Sequence, residues 1–291
     1  MIQSLVSISR SPYNKKHPVF ALYRLLYWKM IRALKLKNVK FSIWKDRKIY
    51  LNYDSFQCMW VMYNYIVDWE EFNLIRDYVN TEDHVADVGA NIGYYTVWMS
   101  KFISGKGIVH SFEPDQLNFE KLQKNISLNN IQKNTKANNI ALSSIDGFIQ
   151  FTVSLDGENH ISNVENKNTV KVASSTFDTY CQENSIVNLT YVKVDVEGFE
   201  ADFLKGSADL LKNKNIDILQ LEINATVVNS GKSVEDVLWL LKSNGYQLCK
   251  YDILKKELVR INYTKERENY FSTYDMDKMN IRLSTAGKRQ A

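Results

Sequence analysis

The spacing of hydrophobic positions changes character near residue 80. Ahead of it, residues 19–36, VFALYRLLYWKMIRALKL, spread Leu, Ile, Met and aromatic side chains around a helical wheel while Arg24, Lys29, Arg32 and Lys35 share one arc. That period predicts a basic amphipathic helix. Residues 41–53, FSIWKDRKIYLNY, alternate like a strand pair, and residues 69–80 read as a helix ending near Asn80. Beyond it, apolar runs and helical stretches take turns. HVADVGA is a strand, 94–103 a helix, GIVHSFEP a strand and 115–129 a helix; TKANNIAL and GFIQFTVS are strands. A short helix at 176–184, the strand YVKVDV, a helix to about 212, the strand DILQLEI and a helix at 233–243 follow. YQLCKYD and KELVRIN close the pattern. Strands alternating with helices of about ten residues predict an α/β fold with a mostly parallel, doubly wound sheet. The last two strands follow each other closely, so one of them runs antiparallel. The polar stretch after about residue 265 predicts a loosely held tail.

Composition adds compartment and surface. With 45% hydrophobic residues in 291, the chain can bury one substantial core. Cys58, Cys181 and Cys249 have neither metal-ligand spacing nor an even disulfide framework, which points to a reducing compartment. No apolar signal core with a cleavage site opens the chain, so it reads as cytoplasmic. Residues 13–48 hold eleven Lys or Arg and one acid, Asp46; with a net charge of only +4 overall, the remainder is net acidic. Charges interrupt the N-terminal apolar run too often for a bilayer span. Two readings stand for it: a helix packed on the main domain with a solvated basic face, or one lying on an anionic membrane, with Tyr27 and Trp28 at the interface. No basic groove for nucleic acid is visible elsewhere.

The first strand of the alternating region runs into DVGANIG, residues 87–93, at the position where such sheets bind ligands. A dinucleotide fingerprint needs a glycine where Asn91 stands; Gly89 and Gly93 are separated by three residues, which suits a pyrophosphate poorly. Asp87 would repel a diphosphate but suits a cation such as the sulfonium and ammonium end of S-adenosylmethionine. Glu113 ends the next strand, where an acid can accept both ribose hydroxyl hydrogens.

YVKVDVEGFE, residues 191–200, breaks the continuous apolar pattern of a central parallel strand. Val192 and Val194 keep one face apolar; Lys193 and Asp195 take the other, and Glu197 continues it by the period of two. LQLEIN repeats the device with Gln220 and Glu222. Charges in a would-be buried strand are costly unless they are paired or lie at a site. Either an ion pair orients the strand ends, or Lys193, Asp195, Glu197 and Glu222 converge on a reacting centre.

Together, VADVGANIGYYT, SFEPDQLNFEKLQKNISLNN, NIALSSIDG, STFDTY and YVKVDVEGFEADFLKGSADLL resemble the FkbM-type methyltransferases from about residue 68 to 225. The resemblance implies a class I methyltransferase fold, a Rossmann-like seven-stranded sheet with one antiparallel strand, over 68–264. A basic N-terminal extension, 1–67, and a polar tail, 265–291, flank it. It implies S-adenosylmethionine as cofactor, places Asp87, Gly89, Asn91 and Gly93 at its methionine end, and counts Tyr94, Thr96, Pro114 and Asn118 among the cofactor-binding residues. Glu113 falls at the ribose, Asn139 to Ala141 near the adenine, and Asp195 beside the methyl group.

The activity this implies is methylation of a hydroxyl, most naturally on a sugar of a polysaccharide or glycolipid. An alcohol needs a base as its new bond forms: Asp195 or Glu197, with Lys193 steadying them and Glu222 in reserve, or His160 if its polar loop folds over the site. Two other classes remain open. One is a metal-assisted enzyme for small molecules, using Asp195 and Glu222 as oxygen ligands. The other is a non-catalytic protein that binds a membrane or partner through its basic helix.

Overall fold

The computed structural model describes residues 11–44, 46–152, 161–162, 169–223 and 233–286. Two N-terminal helices, Pro12–Lys16 and Pro18–Ala33, lead into an antiparallel hairpin of β1 (Val39–Trp44) and β2 (Arg47–Leu51). The helices Phe56–Asn64 and Trp69–Tyr78 follow. Ser55 begins the first of these by accepting the Cys58 N–H, one of the donors a helix start leaves unpaired.

The central sheet is built from β3 (His84–Val88), β4 (Ile108–Phe112) and β5 (Thr135–Asn138), with the helices Tyr94–Met99 and Gln116–Leu128 as crossovers. A smaller sheet stands beside it, made of β6 (Ala141–Leu142), β7 (Gly147–Thr152), β8 (Ile161–Ser162) and β9 (Thr169–Ser175). The chain returns through β10 (Leu189–Val194) and β11 (Ile216–Glu222). It finishes with β12 (Gln247–Asp252), β13 (Glu257–Arg260) and β14 (Asn269–Thr273). The order is β13-β12-β14-β11-β10-β3-β4-β5, with the run from β11 to β5 parallel. Every residue of β10 is buried, as a parallel strand covered on both faces requires.

Three expectations are corrected. The sheet has eight strands rather than seven, and two of them, β13 and β14, run against the rest. The supposed loose tail supplies β14, which is wedged between β11 and β12 with Tyr270 and Phe271 fully buried. The helix after it, Met276–Ala286, seats Met279 and Leu283 in the core. Two aromatics amid polar neighbours gave too short a run to register as a core strand.

The third correction concerns Arg24, which is fully buried instead of lying on a solvated basic face. Its guanidinium packs over Phe20, Tyr65 and Tyr13, with centroids 4.9, 5.2 and 5.9 Å away, and donates to Asn14 Oδ1. Burial lowers its pKa to about 10. Cation–π contacts of this kind offset lost hydration. The rest of that buried side, Trp28 and Ile31, joins Phe41, Ile49 and Leu51 of the hairpin and Val85, Val97 and Tyr191 in one hydrophobic core. No helix among the described residues is long and apolar enough to cross a membrane.

Candidate active site

The carboxyl ends of β3, β4, β10 and β11 open into a cleft of about 910 Å³. That is near the upper end of small-molecule sites and leaves room for two ligands side by side.

Its floor is the turn after β3. Gly89 sits at φ 76°, and a Cβ there would fall 1.8 Å from the Asp195 carbonyl oxygen. Only glycine lets β3 and β10 approach this closely. Asn91 also has a left-handed backbone, φ 49°, a conformation asparagine tolerates. This aims its N–H at Glu113 Oε2, 2.7 Å away. Glu113 Oε1 accepts the Asp115 N–H at 2.9 Å. Each oxygen therefore binds one backbone donor and keeps capacity for another. Burial raises the pKa of Glu113 to about 7.

The centre of the site is Lys193. Strand register sets it beside Asp87 on one side and Gln220 on the other. Its amine donates to the Gly89 carbonyl at 3.1 Å and meets Asp195 Oδ2 at 3.1 Å and Asp87 Oδ1 at 3.6 Å. Burial opposes its charge, but Asp195 and then Asp87 outweigh that and hold its pKa above the ordinary lysine range. Asp87 is itself fully buried, which raises its pKa, and its Oδ2 accepts the Thr96 hydroxyl at 2.6 Å. The ion pair offered by the sequence is present: Lys193 ties two strand ends together and presents Asp195 to the cleft.

Asp195 is the partly exposed member, with 37% of its side chain accessible. Its other partner is Glu222, whose pKa is raised to about 9 by burial first and by Asp195 and Glu197 after it, through a side-chain hydrogen bond with Asp195. At neutral pH Glu222 is therefore the protonated partner and donates to Asp195. A carboxyl group that holds its proton in the fold up to about pH 9, but only to 4.5 when unfolded, favours folding at low pH. That contribution fades as pH rises from 4.5 towards 9. Glu222→Gln cannot ionise, so its melting temperature should fall less steeply than wild type over this range. Parallel slopes in thermal denaturation would show that Glu222 does not hold the proton.

Among the described residues, the cleft wall carries six carboxyl side chains, those of Asp68, Glu113, Asp195, Glu197, Glu222 and Glu268, and one amine, Lys193. A pyrophosphate would face repulsion there; a sulfonium with an ammonium fits the charge, and Glu113 fits a pair of ribose hydroxyls. Among the described residues, no group of three or more His, Cys, Asp or Glu side chains is placed to hold a metal ion.

Of the residues expected from sequence, Gly89, Asn91, Tyr94, Glu113, Pro114, Asn118, Ala141, Lys193, Asp195, Glu197 and Glu222 line the cleft. Asp87 and Thr96 lie behind its wall, where Thr96 bridges Asp87 and Ser111. Gly93 serves packing: a Cβ there would meet Leu122 at 2.5 Å. Asn139 donates to the carbonyls of Glu113 and Pro114 and so braces the loop, while its neighbours Ile140 and Ala141 face the cleft. His160 lies outside the described residues.

Sequence reasoning missed the opposite wall. Asp68 reaches the cleft from the N-terminal side and accepts the Tyr95 hydroxyl at 2.6 Å. The Tyr95 ring lies 5.1 Å from the Lys193 amine, and its hydroxyl accepts from Gln220 at 3.1 Å. Phe56, Gln57 and Trp60 complete this wall from the helix that precedes Asp68. Gln220 was visible as a polar break in β11; Asp68 gave no local signal, because its partners lie far along the chain.

The family model of the FkbM methyltransferase domain matches residues 87–248. The hexuronic acid methyltransferase AglP of Haloferax volcanii is 27% identical over 168 residues, covering 58% of this chain and 65% of the relative. The chain thus spans slightly less than two thirds of that protein. A crystal structure of methyltransferase FkbM from Methylobacillus flagellatus KT has a TM-score of 0.40 at 15% identity, over 75% of this chain and 54% of that one. An O-methyltransferase from Bacillus cereus in complex with SAH has a TM-score of 0.39 at 10% identity, over 70% and 78%. The family match covers more than half of the chain, from the acid that opens the glycine turn into β12, and the chain belongs to the FkbM methyltransferase domain family.

Proposed function

We propose that the protein is an S-adenosylmethionine-dependent O-methyltransferase acting on a neutral sugar hydroxyl. The observation that carries this reading is Asp195, a half-exposed carboxylate held between the Lys193 amine and the protonated Glu222 at the cleft floor. Bound in the cleft, S-adenosylmethionine supplies an electrophilic methyl group. Glu113 would accept its ribose hydroxyls, and the Gly89–Asn91 turn and the surrounding acids would receive its cationic end. The protein's own task is to fix an acceptor oxygen and take its proton. Asp195 accepts that proton, while Lys193 and Glu222 hold its two sides.

The opposite wall supports a sugar. Phe56 and Trp60 stand edge to face at 5.8 Å, offering an aromatic surface to the C–H face of a pyranose ring. The relative AglP is named for a hexuronic acid, which supports a carbohydrate acceptor. The cleft favours an uncharged one: among its described residues, Lys193 alone is cationic, and Asp195 and Asp87 already pair with it. A uronate would find no cation among them that is not already paired with a carboxylate.

The test is methyl transfer from labelled S-adenosylmethionine to matched glucoside and glucuronide acceptors, beside calorimetric titration with S-adenosylhomocysteine. The reading requires cofactor binding and an alkali-stable ether on the neutral acceptor. Transfer to the uronate alone, or no cofactor binding, would overturn it.

A further inference from the structure

The helix Pro18–Ala33 turns the wrong way round for a solvated surface helix. Its inward side holds Ala21, Arg24, Trp28 and Ile31, whereas Val19, Leu22, Tyr23, Leu26 and Met30 point outward. These five are 82, 57, 54, 57 and 43% exposed, and Leu34 just beyond them is 62% exposed. At 100° per residue they occupy a single arc of about 100°. Contiguous exposed apolar surface of this kind marks an interaction site.

The rim of the arc says what covers it. Lys15 and Lys16 before the helix, Lys29 and Arg32 on it, and Lys35 after it are all exposed, and no acid occurs between residues 13 and 45. Tyr23 stacks on Phe20 and Tyr27 along one flank, centroids 6.1 and 5.7 Å apart, a polar-tipped row suited to a water–lipid boundary. A second copy pairing through this face would bring two sets of cations together with no acid to neutralise them.

We propose that this face docks on an anionic lipid surface, with the helix lying in the plane of the headgroups, its apolar arc in the acyl boundary and its cations on lipid phosphates. The inference is independent of the methyl-transfer reading. It has a consequence for the cleft: the docked helix packs against the helix Phe56–Asn64, whose Phe56 and Trp60 form a cleft wall. Docking would hold that wall near the membrane.

The test is co-sedimentation of the full-length protein with vesicles of phosphatidylcholine containing phosphatidylglycerol and with phosphatidylcholine alone, at low and high salt. Binding should require the anionic lipid and weaken with salt. Leu22→Glu with Leu26→Glu replaces exposed side chains, so the melting temperature should hold while vesicle affinity falls at least about ten-fold. Lys29→Glu with Arg32→Glu should remove the preference for anionic lipid. Wild-type protein left in the supernatant, or a leucine variant that binds like wild type, would overturn the proposal. So would a wild-type dimer, seen by ultracentrifugation, that ignores vesicles and that the leucine variant dissociates.

Discussion

Asp195→Asn is expected to lower methyl transfer by about 10²- to 10⁴-fold, the usual worth of a positioned general base, while leaving the affinity for S-adenosylhomocysteine nearly unchanged. The substitution keeps shape and removes basicity. Its Lys193 neighbour stays paired, because Asp87 Oδ1 is 3.6 Å from the same amine. Glu197 is the competing base. It too lines the cleft, but in a left-handed turn, φ 50°, just past the end of β10. Glu197→Gln should therefore cost less than Asp195→Asn. Single-turnover rates for the two variants, read beside calorimetric affinities, separate chemistry from binding. An Asp195→Asn enzyme within about three-fold of wild type, against the loss expected of a general base, would remove Asp195 from the chemistry. The role of base would then pass to Glu197, which also lines the cleft.

Glu113→Ala is expected to weaken cofactor binding by at least about 10- to 150-fold, the worth of either one of its two ribose hydrogen bonds to a charged acceptor at 1.5–3 kcal/mol. The side chain also ties Asn91 to the strand end, so part of the loss comes from the turn. The pH dependence isolates the direct contact. Burial raises the pKa of Glu113 to about 7, so the better acceptor, the carboxylate, becomes populated as pH rises through that value. Wild-type affinity for S-adenosylhomocysteine should rise across pH 7, and the variant's should stay flat. A pH profile shared by both proteins would mean that Glu113 only braces the turn.

The two variants probe residues inside the family match, whereas Phe56, Trp60 and Asp68 lie before it and Glu268 lies after it. A third of the residues lining the cleft thus lie outside the family match. This divides the site physically. On the proposed reading, the parallel strands and their turns would hold the cofactor, and the N-terminal helices and the approach to β14 would form the wall that meets the acceptor.

The sequence by itself determined the parallel part of the sheet and the turn at its centre. The cause is local: short apolar runs alternating with helical stretches mark buried parallel strands, and positions such as Gly89 or the alternation of Lys193 and Asp195 with valines are written in neighbouring residues. Tertiary structure alone decided what depends on distant partners. β14 is a short strand that exists because β11 and β12 leave a gap it can pair across. Arg24 is buried because Tyr13, Phe20 and Tyr65 converge on it, and this turns the apolar arc of its helix outward. Glu222 keeps its proton, and Asp68 enters the cleft, because folding places both near Asp195, where partial burial raises the pKa of each. Periodicity can show which side chains share a face, but desolvation and charge pairing act through space, so the chemistry of the site appears only once the chain has closed around it.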